Sequence, residues 1–337
     1  MCTYYVCLTN PLTCLRDGTI AVMELSHLNQ ITFNELRFEK IDCMIAACGT
    51  QPRCYDLAEK LHPVISKKFL LTDNKSCNSR FYENFMTFGF RNFPAQEDEP
   101  FVIENILKEV CQVNKSHLNI LIDYSCMPKR WYAMVIDCIT RNCYAAQRIN
   151  LFFSYTPKIF ERREGKPVID YVGPILLNRD VPKETKPVSL IASLDNSNSS
   201  MMEAIHAVNP QKIFAFVPHC AHDPGYTQLV MENNKTLLGR LDSNSVINYN
   251  ADSPEEINSL LTSYCLDQRI ASEVVIVPQG PKTFSMMSML LSVRYPDVKL
   301  WEIILKEHKS ASGQGMPAGN PVLVKVSFVN DEEEDQD

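Results

Sequence analysis

The sequence predicts an α/β protein built from two tandem parallel-sheet units, related by an internal duplication and preceded by a β-rich N-terminal extension. Three observations predict it. Short apolar runs alternate with amphipathic stretches along most of the chain, the alternation starts afresh near residue 188, and residue pairs recur at a nearly constant offset. Strands and helices alternating at this spacing build parallel sheets with helices on their faces.

Residues 1–41 form the extension. Stretches 4–8, 19–25 and 31–38 are β-branched or aromatic and read as strands, with turn signals at Asn10-Pro11 and Asp17-Gly18. The first α/β unit spans 42–155. It opens with a strand over 43–48 that ends at Gly49, followed by a helix over 53–61 and a strand over 68–71. An amphipathic segment follows at 81–88, then a helix at 102–113, a strand at 118–123, a helix at 129–140 and a strand at 148–154. Residues 156–187 carry a charged stretch, Glu161 to Lys166, and several prolines, and read as a linker.

The second unit, 188–306, repeats the order. It has strands at 188–194, 212–217, 273–277 and 298–305, and helices at 200–208, 226–237, 255–265 and 284–293. Ile45-Ala46 matches Ile191-Ala192 at an offset of 146, and His62-Pro63 matches Asn209-Pro210 at 147. Pro128-Lys129 matches Pro281-Lys282 at 153, which also aligns Trp131 with Phe284 and Met134 with Met287. A drift of a few residues is what loop insertions produce. Residues 307–337 read as a flexible tail with one short strand, 322–328, and an acidic end.

Composition narrows the function classes. The chain has 337 residues, room for two ordinary domains, with 45% hydrophobic and 22% charged residues. A net charge of −7 argues against bulk binding to nucleic acid or to an anionic membrane. No apolar run approaches the roughly 20 residues of a membrane helix. The N-terminus lacks the basic start and apolar core of a signal peptide. The 13 cysteines are odd in number and contain no CxxC pair, and Cys43, Cys48, Cys138 and Cys265 sit in apolar runs. That is a reduced, cytoplasmic pattern in which a thiol acts as a small hydrophobe.

In a parallel sheet, ligands meet the loops that leave the carboxyl ends of the strands. The loop 278–283 supplies Gly280, Lys282 and Thr283 at the start of a helix. Glycine admits close backbone approach, while helix N-terminal amides and a lysine favour an anion such as phosphate. The same residues also suit a plain turn with Thr283 as a cap and a solvated lysine. The matching loop, 123–129, offers Asp123, Ser125 and Lys129. Asp123 suits a catalytic acid or base, a ribose ligand, or a helix cap. Ser125 lacks identifiable His and acid partners for a hydrolase triad. Gly49 and Arg53 bracket the first strand–helix turn of one unit, and Asp195 and Asn196 hold that place in the other, where they could bond a sugar or simply shape a turn. Neither turn carries the GxGxxG run of ordinary NAD binding, and no cofactor is expected. His219, Cys220, His222 and Asp223 crowd one loop, but adjacent ligands complete a tetrahedral metal site poorly, and no metal is expected. Trp131, Phe284, Met286, Met287 and Met289 fall at helical spacing and read as core.

The strand–Gly-Pro-Lys-Thr–helix element at 278–293 resembles the lysine/threonine loop of CRISPR-associated Rossmann-fold (CARF-like) sensor domains. The chain is also similar to a group of uncharacterised bacterial tandem Rossmann-like proteins that share the Gly-Pro-Lys and Asp-Tyr-Ser elements at 280–282 and 123–125. The resemblance implies two Rossmann-like units that bind a nucleotide or oligonucleotide signal across a two-fold axis, in bacterial defence or signalling, with an effector protein supplying the output. The leading expectation is a phosphate-ligand-binding sensor. An enzyme acting on a nucleotide or sugar phosphate through Asp123 and a non-catalytic interaction subunit are the alternatives.

Overall fold

The computed structural model describes residues 15–16, 19–20, 23–73, 76, 79–95, 98–111, 115–141, 146–159, 168–175, 186–197, 200–306 and 317–330. Strands β1 (Leu15–Arg16) and β2 (Thr19–Ile20) form a small antiparallel pair. After β3 (Met23–Ile31) and α1 (Phe33–Phe38), five strands run parallel: β4 (Cys43–Ala47), β5 (Lys67–Thr72), β6 (Arg91–Pro94), β7 (His117–Asp123) and β8 (Arg148–Tyr155). Between them lie α2 (Asp56–Leu61), α3 (Arg80–Thr87), α4 (Glu99–Cys111) and α5 (Lys129–Arg141). The second sheet starts at its edge with β9 (Ile169–Pro174), antiparallel to β14. Its parallel strands are β10 (Val188–Ser193), β11 (Lys212–His219), β12 (Val246–Asn250), β13 (Glu273–Pro278) and β14 (Lys299–Leu305). Helices α6 (Ser200–Val208), α7 (Pro224–Asn233), α8 (Lys235–Leu238), α9 (Pro254–Arg269) and α10 (Lys282–Arg294) connect them, and β15 (Val322–Asn330) ends the described chain.

The first sheet has the order β3-β15-β8-β7-β4-β5-β6 and the second β12-β11-β10-β13-β14-β9. Counted along the chain, the five parallel strands of each sheet therefore lie in the order 3-2-1-4-5. Direction of travel reverses between the first and fourth strands, which is the Rossmann-like switch point. Each sheet also ends in antiparallel strand pairing beside its fifth strand.

Strand periodicity divides the core. On β7, Leu118, Ile120 and Ile122 face a cluster that continues through α5 and α10 into Val275 and Ile276 of the second sheet. Leu121 faces the other side, with Leu57, Phe85 and Phe152. One apolar core thus joins the two sheets. Helix α10 is buried all round, as a helix between two layers must be, and it packs on α5 and α9. Its serines return their hydroxyls to the backbone, Ser288 to the Phe284 carbonyl at 2.8 Å and Ser292 to that of Met289 at 2.8 Å. Trp131, Phe284, Met286, Met287 and Met289 are buried as expected.

Several expectations are corrected. The strand predicted over 31–38 ends at Ile31. Thr32 then caps α1, its hydroxyl accepting from the Glu35 amide while the Glu35 carboxylate accepts from Thr32. Strands β6 and β12 had no counterpart in the expected elements: each is a short edge strand, and β6 ends in a proline. The stretch read as a linker contains β9. The strand expected at 4–8 and the acidic end at 331–337 lie outside the described residues.

The largest difference concerns the C-terminal stretch. β15 is no appendage: it lies between β3 and β8, hydrogen-bonded to both. Leu323, Val324, Val326 and Phe328 are buried, because a strand in the middle of a sheet buries both faces. A chain ending at residue 317 is expected to lose cooperative thermal unfolding and to become insoluble, since β3 and β8 would face each other across an empty strand position. Soluble expression with an unchanged melting transition would contradict this placement.

Candidate functional site at the junction of the two sheets

Register gives the equivalences at the carboxyl ends. Ala46 of β4 lies opposite Asp123 of β7, and Ala192 of β10 lies opposite Val277 of β13. The next residues, Tyr124 and Pro278, therefore occupy matching places. Lys282, the first residue of α10, donates from Nζ to the Tyr124 carbonyl at 2.9 Å and to that of Met127 at 2.5 Å. Lys129, the first residue of α5, donates from Nζ to the Pro278 carbonyl at 2.9 Å and to Gln279 Oε1 at 3.2 Å. Each lysine leaves its own helix and binds the strand end of the opposite sheet. The two carboxyl edges consequently face one another.

On the first sheet, this junction holds a buried carboxyl. Asp123 is 2% exposed, and its Oδ1 accepts from the Ser125 amide at 3.0 Å and the Ser125 hydroxyl at 2.5 Å. Ser125 Oγ in turn accepts from the Thr156 amide at 2.8 Å. Among the described residues Asp123 Oδ2 has no hydrogen-bond partner, and neither do Ser154 Oγ, Thr156 Oγ1 and Tyr124 Oη, all buried. Buried polar atoms are nearly always bonded, so this concentration of unpaired groups calls for a physical explanation such as water, an ion or a ligand. Burial pushes the Asp123 carboxyl up to about 6, against the opposing pull of its Ser125 bonds and of Arg53 and Lys282.

Arg53 supplies a buried cation beside the half-buried Lys282. It sits in the 3-10 turn after β4, donating from Nη1 to the Thr156 carbonyl at 3.1 Å and from Nε to Gln51 Oε1 at 2.9 Å. Its guanidinium lies 5.7 Å from the centre of the Tyr155 ring. Burial, with Arg53 nearby, pushes the Lys282 ammonium down to about 7, so part of it is neutral at physiological pH.

Two glycines let the loops close. A Cβ on Gly280 would stand 2.1 Å from Ser193 Oγ and 2.8 Å from Tyr249 Oη, a pair already bonded at 2.9 Å. A Cβ on Gly49 would stand 2.8 Å from the Cβ of Cys126. In each unit the loop after the first strand touches the loop after the fourth, at the switch point, and the glycine comes from opposite partners.

The expected residues thus fall into two groups. Gly49, Arg53, Asp123, Ser125 and Lys282 meet around the end of β7. Lys129 and Gly280 meet near the end of β13, where Glu302 and Asp195 oppose the lowering of the Lys129 ammonium that burial causes. Thr283 does not cap α10: its hydroxyl donates to the Ala251 carbonyl at 2.6 Å. Asp195 and Asn196 are tied into their loop, the Ser197 amide donating to Asp195 Oδ1 at 2.9 Å and the Asn233 amide to the Asn196 carbonyl at 2.7 Å. Among the described residues no group of three or more His, Cys, Asp or Glu is placed to hold a metal, and Asp252 instead receives His222 Nδ1 at 3.0 Å. Tyr124, Tyr132, Tyr155 and Thr156 were not expected. Tyr124 lies inside the loop singled out from sequence, but nothing in the pattern shows that a tyrosine from the next strand end stacks on it, centroids 5.6 Å apart. No helix among the described residues is long and apolar enough to cross a membrane. Compared with protein-family models, curated proteins and solved structures, the chain matches none.

Two outcomes test this geometry. Between the ordinary Asp value of 3.8 and the folded value of about 6, the folded chain holds a proton that the unfolded chain has released. Stability from this group therefore falls as pH rises through that window, by roughly 1.4 kcal/mol per pH unit. Denaturant midpoints of Asp123→Asn should lack that fall between pH 4 and pH 6, while the parent chain shows it. Gly280→Ala should lower the melting temperature strongly, and less so when combined with Ser193→Ala, which removes the nearest clashing atom. Equal costs in the two backgrounds would refute the close approach.

Proposed function

We propose that the protein is a cytoplasmic sensor module that binds a phosphorylated small molecule, a nucleotide or an oligonucleotide signal, at the junction of its two sheets. The observation that carries this reading is the meeting of two cations, buried Arg53 and half-buried Lys282, with buried hydroxyls that have no partner among the described residues, where two switch points face each other. In a chain of net charge −7, cations held in such a place are costly unless an anion or dipoles answer them. The Lys282 bonds to backbone carbonyls are the contacts a phosphate would exchange, with Arg53 and Ser125 beside it. Lys129, Asp195, Asn196, Gly49, Gly280 and Thr283 shape the surrounding loops.

The matching strand orders and the reciprocal lysines support descent of the two units from one duplicated ancestor. The proposed role in bacterial defence or signalling rests on the CARF-like resemblance of the loop at 278–283 alone. On this reading the first unit keeps the carboxyl and the second a valine, Val277, so the site is single and unequal.

A second reading has its own observation. A buried carboxyl raised to about 6 with a free Oδ2 is suited to general acid or base chemistry on a nucleotide or sugar phosphate.

Thermal-shift measurement against nucleotides and linear and cyclic oligonucleotides tests both. A ligand at about 100 times its Kd adds about 2.7 kcal/mol to stability. That increment is expected in the parent chain and absent in Arg53→Met. No stabilisation by any member of the panel would overturn the binding reading. Turnover that disappears in Asp123→Asn while the thermal shift persists would establish the enzyme.

A further inference from the structure

The first sheet carries a concave surface at the end opposite the junction. A cavity of about 490 Å³ opens where β4, β5 and β7 begin, lined by Cys43, Lys67 and Leu118 from the three strand starts. The seven residues of β7 separate it from Asp123 by roughly 20 Å, at about 3.3 Å per residue.

Its chemistry differs from the rest of the molecule. Five cations line it, Arg37, Lys40, Lys60, Lys67 and Lys115, against two acids, Glu39 and Asp42. Both acids are already answered: Asp42 Oδ1 accepts from Lys115 at 2.5 Å and Glu39 Oε1 from Lys325 at 2.7 Å. Lys60 pairs with Asp56 at 2.8 Å. Arg37, Lys40 and Lys67 have no ion-pair partner among the described residues, and all three are exposed. In a chain of net charge −7 this is a local reversal of sign.

The floor is apolar. Leu36, Leu61, Ile65 and Leu118 form it, and Val64, 78% exposed, lies on its wall. Phe38 stands beside it, 90% exposed, between Arg37 and Glu39 of the lining. Phe38 and Val64 thus place exposed apolar surface directly beside these cations, a combination that one partner segment can cover. A nucleic acid or free phosphate would use the cations and waste the apolar floor. An extended peptide that alternates acidic and apolar side chains uses both.

We propose that this groove docks an extended acidic peptide segment of a partner protein, with apolar side chains seated on the Leu36–Leu61–Ile65 floor and carboxylates on Arg37, Lys40 and Lys67. The placement leaves the junction of the two sheets uncovered, so the proposal stands whether or not that junction binds phosphate.

Fluorescence anisotropy with the full chain and a labelled synthetic peptide of alternating Glu and Leu tests it, with Gln in place of Glu as the control peptide. The acidic peptide should bind, the Gln peptide should not, and raising salt from about 0.05 to 0.5 M should weaken binding strongly, because exposed charges are screened within a few ångströms at the higher value. The double variant Lys40→Glu/Lys67→Glu should bind at least tenfold more weakly, and Phe38→Ser should weaken binding at constant charge. Since these three side chains are exposed, both variants should keep the parent melting temperature. Equal binding by the charge-reversed variant, or by the Gln peptide, overturns the proposal. Displacement of the peptide by inorganic phosphate or oligouridylate overturns it in favour of a general anion site. Binding that appears only after removal of residues 331–337 overturns the partner assignment, since the chain's own acidic end would then be the occupant.

Discussion

Two lysines hold the molecule's organisation. Lys129 and Lys282 each open a helix in one sheet's unit and spend their donors on strand-end carbonyls of the other. Those carbonyls lie just past the ends of β7 and β13, where the Tyr124 carbonyl also accepts from the Met127 amide and the Pro278 carbonyl from the Ser285 hydroxyl. Crossing the lysines adds a charged donor at each end. It also draws the two carboxyl edges together, and helices α5 and α10 pack along the same line. The switch points, which in a lone α/β unit open to solvent, are turned inward here.

That inward turn governs the electrostatics. Asp123 and Arg53 are buried and Lys282 is half-buried beside them, so each feels the others more than it would at a surface. The carboxyl rises and the ammonium falls, so the pair is poised near neutral pH. At the second strand end the facing groups differ: burial lowers the Lys129 ammonium and raises the Glu302 carboxyl. Val277 stands where Asp123 would be, and Ser193 with Tyr249 fills the space beside Gly280. One frame therefore carries two chemically different strand ends.

The two ends of the first sheet also divide the molecule's chemistry. The carboxyl end is buried, polar and shared with the other unit. The amino end is open, cationic and apolar, and belongs to the first sheet and its helices α1, α2 and α4. A parallel sheet makes this separation natural, because every strand starts on one side and finishes on the other.

Much of this was legible in the residues. Apolar runs such as 118–123 and 273–277 could only be buried strands, and the Pro-Lys pair at 128–129 and 281–282 located the two loops that meet. Local pattern carries that information because burial on both faces demands unbroken Val, Ile and Leu. Other features needed the third dimension. β15 reads as a short strand near an acidic end, and only pairing across some 170 residues makes it a central strand, Val326 opposite Leu151. Edge strand β6 buries too little to leave a pattern, while β12 alternates buried Ile247 and Tyr249 with exposed asparagines over only five residues. Lys282 reads as an anion ligand from its loop, yet its bonds are set by carbonyls from a segment about 155 residues away. Sequence alone determined the α/β class and most of the strand–helix alternation, all but β6 and β12 among the parallel strands, because these follow from periodicity within a few residues. Tertiary structure alone decided which sheet takes the last strand, which carbonyls the lysines meet and that Asp123 is sealed from water, because those depend on contacts between residues far apart in the chain.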